Sequence, residues 1–176
     1  MGNNQTIMRK IKKALISVSD KKSLKNILKV LYKYNVELIS SGGTYKEIKK
    51  LKYKCNEVSN YTDFPEILGG RVKTLHPKIH AGILSIRKNK SHKNDLKKHN
   101  FQAIDLVIAN FYPFEETLKH SNNHSKIIEK IDVGGPTMVR AAAKNYNDVT
   151  VITSNSQYKE LINEILKFKG STSQNF

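Results

Sequence analysis

Apolar residues in this chain fall into two repeating patterns. Ala14, Leu15, Ile16 and Val18 form a short, nearly unbroken run that Ser19-Asp20 closes. Such a run predicts a buried strand followed by a helix N-cap. Leu24, Ile27, Leu28 and Leu31 then recur at helical spacing, which predicts an amphipathic helix over residues 22–34. Val36 to Ser40 is the next strand, Ser41-Gly42-Gly43-Thr44 interrupts it, and a helix follows from Tyr45 to Leu51. Cys55 to Val58 and Ile83 to Ile86 are weaker strand candidates, and Leu106 to Asn110 is a strong one. Residues 120–126 are polar and suit a surface connection. Pro136 fits a first helical turn, where its missing N–H costs nothing, so a helix is expected from Thr137 to Lys144. Val149 to Thr153 is the last strand. Leu161, Ile162, Ile165 and Leu166 give a final helix over 155–168 its apolar face.

Strands alternating with helices call for a parallel sheet with right-handed crossovers. The expected fold is therefore α/β, in three layers: a mostly parallel central sheet with helices on both faces. No internal repeat or second domain is visible, and residues 1–11 suit a flexible leader. In such sheets ligands bind beyond the carboxyl ends of the strands. Ser17 to Lys21, Ser41 to Thr44 and Asn110 to Pro113 all leave the sheet there, so these loops are expected to share one site.

Composition narrows the function. The 176 residues, 38% apolar and 26% charged, suit one globular domain. No apolar run approaches the roughly 20 residues that span a bilayer, and Met1 to Lys13 lacks a signal peptide's apolar region. A cytoplasmic location without a membrane partner is expected. Cys55 is the sole cysteine, which excludes an intrachain disulfide and four-cysteine zinc sites. The net charge of +16 admits nucleic acid, an acidic membrane surface or an anionic small substrate. The lysines are dispersed among Asn and Ile, with no interleaved aromatic and basic motif, so nucleic acid is not the expected partner. The densest basic cluster, Arg87 to Lys93, suits a solvated loop or helix start.

Gly69-Gly70-Arg71-Val72-Lys73-Thr74-Leu75-His76-Pro77 is the most informative stretch. Its glycines allow close approach to a ligand, and in an extended segment Arg71 and Lys73 leave one face. Ser41-Gly42-Gly43-Thr44, between a strand and a helix, offers backbone N–H groups, two hydroxyls and a positive dipole end: a phosphate cradle, or else a tight turn with an N-cap. It lacks the nucleotide triphosphate loop pattern. Lys21 could neutralise the same phosphate, while Asp20 suits helix capping. Asp132 precedes a diglycine at a helix start, where capping is again the alternative. Arg140 and Lys144 share one helix face; proximity of two cations could suit Lys144 to proton transfer, or both could complement the helix C-terminus. His76 and His80, four apart, have no HExxH pattern or carboxylate beside them, so no metal is expected.

Together, Ser-Val-Ser-Asp-Lys (17–21), Ser-Gly-Gly-Thr (41–44), Phe-Pro-Glu-Ile-Leu-Gly-Gly-Arg-Val-Lys-Thr-Leu-His-Pro (64–77), Ile-His-Ala-Gly-Ile-Leu (79–84), Asn-Phe-Tyr-Pro-Phe (110–114), Ile-Asp-Val-Gly-Gly-Pro (131–136) and Arg-Ala-Ala-Ala-Lys-Asn (140–145) resemble the IMP cyclohydrolase domain of bifunctional purine biosynthesis enzymes. That domain belongs to the methylglyoxal-synthase-like superfamily. The likeness covers residues 12–170, and residues 171–176 resemble the junction to a transformylase domain that this chain does not contain. The resemblance implies dehydrative closure of the formamido-imidazole carboxamide ribonucleotide FAICAR to IMP, the last step of de novo purine synthesis. It implies that Ser19, Asp20, Lys21, Ser41, Gly42, Gly43 and Thr44 hold the 5′-phosphate and ribose. Arg71, Val72, Lys73, Thr74, Ala109, Asn110, Tyr112, Asp132 and Val133 would surround the heterocycle. Lys144 would donate and accept protons, tuned by Tyr112 and Asp132, with Lys73 stabilising developing charge. A homodimer is implied, and no cofactor. The alternatives are a nucleotide-sensing domain of the same superfamily, which needs no proton-transfer set, and a methylglyoxal synthase, which leaves the 71–77 segment unexplained.

Overall fold

The computed structural model describes residues 7–176. Its centre is a five-stranded sheet in which every pairing is parallel. In chain order the elements are β1 (Met8–Lys10), β2 (Lys13–Val18), α1 (Leu24–Lys33), β3 (Glu37–Ser40), α2 (Gly42–Lys50), β4 (Asn56–Glu57), α3 (Val58–Thr62), α4 (Pro77–Leu84), α5 (Lys90–Lys98), β5 (Leu106–Asn110), α6 (Phe114–His120), α7 (His124–Ile128), α8 (Gly134–Lys144), β6 (Thr150–Ile152), α9 (Tyr158–Lys167) and β7 (Ser171–Ser173). The spatial order is β4-β3-β2-β5-β6. The chain winds outward from β2 to β4, then returns to β5 on the other side of β2. The crevice between β2 and β5 is thus a topological switch point, where open α/β sheets bind ligands.

The unbroken apolar runs of β2 and β5 arise because both faces are covered. Ala14, Ile16, Leu106 and Ile108 pack beneath α1, α2 and α9, while Leu15, Val107 and Ala109 pack beneath α3, α4 and α8. The three-layer α/β architecture expected from the sequence is the one observed. Among the described residues, no helix is long and apolar enough to cross a membrane. Cys55 is buried, and burial pushes its thiol up to about 12, so it is chemically quiet.

Several expectations need correction. Ile83 to Ile86 is not a strand: Ile79 and Ile83, four apart, both face the core from α4, which Pro77 opens and His76 caps by accepting from the Lys78 N–H at 3.1 Å. A short apolar run does not distinguish a buried helix face from a strand. Helix α1 is not capped by Ser19-Asp20. Its N-cap is Ser23, while Asp20 closes a local turn by accepting from the Lys22 N–H at 2.8 Å. Both α2 and α8 begin three residues early, taking Gly42-Gly43-Thr44 and Gly134-Gly135-Pro136 into their first turns. Helices α6 and α7 bury no residue, which is why periodicity did not reveal them. Of the expected leader, residues 1–6 lie outside the described residues, but Met8–Lys10 is a strand antiparallel to β7. Ile11 beside it is 1% exposed, and apolar burial of that kind is what orders the segment.

Candidate nucleotide-binding cleft

At the carboxyl edge of the sheet, loops after β2, β3 and β5 meet the 69–74 turn and the start of α8 around a cleft of about 550 Å³. The cleft takes in Ser19, Lys21, Ser41, Gly42, Gly43, Thr44, Arg71, Lys73, Thr74, Asn110, Tyr112, Asp132 and Val133. Residues far apart in sequence therefore converge on one surface.

One end is built around the first turn of α2. The leading N–H groups of a helix have no intrahelical partner and carry the positive end of its dipole. The Ser41 hydroxyl makes no capping bond there. A Cβ built on Gly42 would stand 3.4 Å from the Lys73 ammonium, and one on Gly43 would stand 3.6 Å from the Lys21 ammonium. Two cations thus flank one helix N-terminus, an arrangement suited to a phosphate. Lys73 was expected beside the heterocycle; its ammonium lies next to Gly42, at the start of α2. Lys73 forms an ion pair with Glu66 at 3.1 Å.

The loop bearing Lys21 is held from below. Asn110 Oδ1 accepts from the Ser19 and Asp20 N–H groups at 2.6 and 3.0 Å, and Asn110 Nδ2 donates to the Asp20 carbonyl at 2.9 Å. The amide of Asn110 is spent on this loop. Asp20 does not line the cleft; its carboxylate also accepts from Asn155 Nδ2 at 2.6 Å. Thr44 likewise turns inward. Its hydroxyl donates to the Val18 carbonyl at 2.9 Å and accepts from the Val18 N–H at 3.0 Å. Only its backbone is free for a ligand.

At the other end, Asp132 Oδ1 accepts from the Gly135 N–H at 2.9 Å, so the carboxylate caps α8 while it lines the cleft. Of the expected alternatives the capping bond is present, and the residue that makes it also lines the cleft. Tyr112 is exposed, with the Lys130 ammonium 4.9 Å from its ring centroid. Arg71 and Glu129 form an ion pair at the mouth. Their hydrogen bond raises the guanidinium above its ordinary value and holds the carboxyl below its own. Thr74 is buried, and near it burial pushes the His80 imidazole down.

Besides Asp20, three further expected residues do not reach the cleft. Ala109 is fully buried in the core. Val72 pairs with Ile67 to close a tight turn. Lys144 is exposed in the last turn of α8, whereas the first turn of that helix lines the cleft. Ten residues of helix put the two about 15 Å apart, beyond a lysine's reach. Beside Lys144, Asn145 Nδ2 donates to the Ile83 and Ser85 carbonyls at 2.8 and 3.0 Å, at the opposite edge of the sheet. Conversely, Ile128, Glu129 and Ile131 line the cleft without having been anticipated. They lie in and after α7, a segment with no sequence periodicity to mark it.

Comparison with known proteins agrees with this geometry. The profile of the MGS-like domain matches residues 23–137. The bifunctional purine biosynthesis protein PurH of Bradyrhizobium diazoefficiens is 48% identical over 164 residues, covering 93% of this chain and 31% of that protein. Its counterpart in Acetivibrio thermocellus is 52% identical over 156 residues, covering 88% and 30%. The chain thus spans under a third of the length of these relatives. Among solved structures, the crystal structure of ForH superposes with a TM-score of 0.79 at 28% identity, covering 91% of this chain and 82% of that one. A parallel α/β sheet with a cleft at its switch point, matched by that profile over most of the chain, makes this protein a member of the MGS-like domain family.

Proposed function

We propose that the chain is an IMP cyclohydrolase domain that closes FAICAR to IMP. The observation that carries this reading is the single cleft in which Lys21, Lys73 and the start of α2 face Tyr112 and Asp132. The likeness to PurH proteins over nearly the whole chain supports the same reaction.

In that reaction the carboxamide nitrogen attacks the formamide carbon, forming the ring C–N bond. The former formyl oxygen gathers negative charge, takes up two protons and leaves as water, while the carboxamide nitrogen and the formamido nitrogen each give up one proton. Both reacting groups sit on one imidazole, so holding the reactive rotamer removes most of the entropic barrier. The α2 N-terminus with Lys21 would anchor the 5′-phosphate and fix that rotamer. The Lys73 ammonium can stabilise the oxyanion where the anchor meets the ring. Asp132 retains a second carboxylate oxygen to accept a proton, and the Tyr112 hydroxyl can relay one. Lys144 has no part in this scheme, because it does not line the cleft. Leu68, Ile131 and Val133 stand exposed and support the implied homodimer, and a cytoplasmic setting suits a nucleotide enzyme.

The test is to mix purified protein with FAICAR and follow absorbance as the purine ring forms. Turnover is expected, and Lys73→Ala should reduce it by about a hundredfold through lost charge stabilisation. A second reading, a nucleotide-sensing domain, is favoured by the distance of Lys144 from the cleft. Tight IMP binding without any FAICAR conversion would select it.

A further inference from the structure

Glu66 and Lys73 flank a tight turn whose ends are paired, with the Ile67 N–H donating to the Val72 carbonyl at 3.3 Å and the Gly70 N–H to the Ile67 carbonyl at 3.1 Å. That turn brings two side chains seven positions apart into contact, Glu66 Oε1 and Lys73 Nζ at 3.1 Å. The pair lies directly across Gly70. A Cβ there would stand 2.5 Å from the Glu66 carboxylate oxygen and 2.8 Å from Lys73 Cε, and Gly70 has φ +91°. Only glycine satisfies both the backbone angle and this crossing.

The surroundings explain why the crossing matters. The Lys73 ammonium lies close to Gly42, at the positive end of α2, with Lys21 on the neighbouring residue. Like charge and the helix dipole push the ammonium away from that position. A lysine side chain is also free to sample many rotamers. Among the described residues, Glu66 is the carboxylate within 4.0 Å of Lys73 and the group that opposes both tendencies.

We propose that Glu66 is a positioning residue, holding the Lys73 ammonium at the α2 N-terminus so that it meets the reacting nucleotide already oriented. This rests on the cyclohydrolase reading for its kinetic consequence and on nucleotide binding alone for its thermodynamic one. The carboxylate has two opposed effects. It aims Lys73, which favours turnover, and it sets a negative charge beside the anion site, which weakens binding. A purely structural residue would not separate kcat from KM in that way.

The experiment compares wild type, Glu66→Ala, Glu66→Gln, Lys73→Ala and the Glu66→Ala/Lys73→Ala double variant. FAICAR turnover and calorimetric titration with IMP are both measured, and circular dichroism checks folding. Glu66→Ala should lower kcat about tenfold while leaving KM unchanged or lower. Glu66→Gln, which keeps an acceptor for the ammonium, should retain kcat within about threefold. With Lys73 already alanine, removing Glu66 should change kcat by less than about twofold, because the effect passes through Lys73. Additive losses in the double variant, or a raised KM with kcat intact, would overturn the proposal. If the wild type binds IMP but does not cyclise FAICAR, the reaction assignment fails by itself. The titrations then decide for Glu66: non-additive effects of the two substitutions on IMP affinity uphold it, and additive ones reject it. A wild type that does not bind IMP overturns both.

Discussion

Thr44 and Asn110 sit at the edge of the cleft, yet each directs its side chain toward the protein. One hydroxyl and one amide bond the backbone of Val18, Ser19 and Asp20, at the end of β2 and in the loop after it. Their residue types and positions were legible in the sequence; the direction of their bonds was not, because it depends on a neighbouring strand whose register only the sheet sets. The same holds for Glu66, which stood inside a quoted motif without a role. At this scale His80 carries a testable consequence. Its Nε2 is buried without a hydrogen-bond partner, and burial lowers its pKa from the ordinary 6.5. The unfolded chain therefore takes up a proton at that imidazole before the folded one does. This contribution to stability is full above pH 6.5 and is lost as pH falls through the depressed folded value. Melting temperatures measured from pH 7.5 down to about 5 should decline in the wild type and decline less in a His80→Gln variant. Parallel curves would mean that His80 does not govern the acid limb.

At the scale of elements, α8 shows both what pattern reveals and where it stops. Its alanines and its closing basic residues were plain in the sequence, and so was a diglycine at its start. What pattern could not convey is that one helix crosses from one edge of the sheet to the other, so that Asp132 and Lys144 serve different surfaces. Helical spacing places residues around an axis, but distance along the axis decides which of them share a cleft. Lys144→Ala should therefore leave FAICAR turnover within about threefold of wild type, as surface substitutions away from a site do. A loss far beyond tenfold in a folded variant would show that this lysine reaches a reacting ring by a route outside the cleft described here. The α4 segment makes the complementary point: three apolar letters, Ile83, Leu84 and Ile86, fitted a strand, and only Pro77 with the core-facing Ile79 reveals the helix.

For the molecule as a whole, the fold was far more legible than the site. Five strands with crossovers leave few arrangements, and buried runs such as Leu106 to Asn110 mark the middle of the sheet. The ends were less legible, because β1 and β7 are three-residue strands of mostly polar side chains that only their mutual pairing defines. The join is nonetheless part of the core. Ile11 follows β1 and is 1% exposed, and the buried Thr150 and Thr172 hydroxyls bond at 2.9 Å beneath β7. Ile11→Ala should lower unfolding free energy by about 2–4 kcal/mol, the cost of a cavity at a filled site, read from urea denaturation. A change below about 0.5 kcal/mol would return this segment to the status of an ornament. The β1–β7 ribbon lies at the amino edge of the sheet, where its Arg9 guanidinium donates to the Ser173 carbonyl at 3.1 Å. The cleft opens from the carboxyl edge. A dye, a bead or a sensor surface attached near the ribbon would stay clear of the cleft, so the protein lends itself to immobilised measurement with its mouth turned toward the solution.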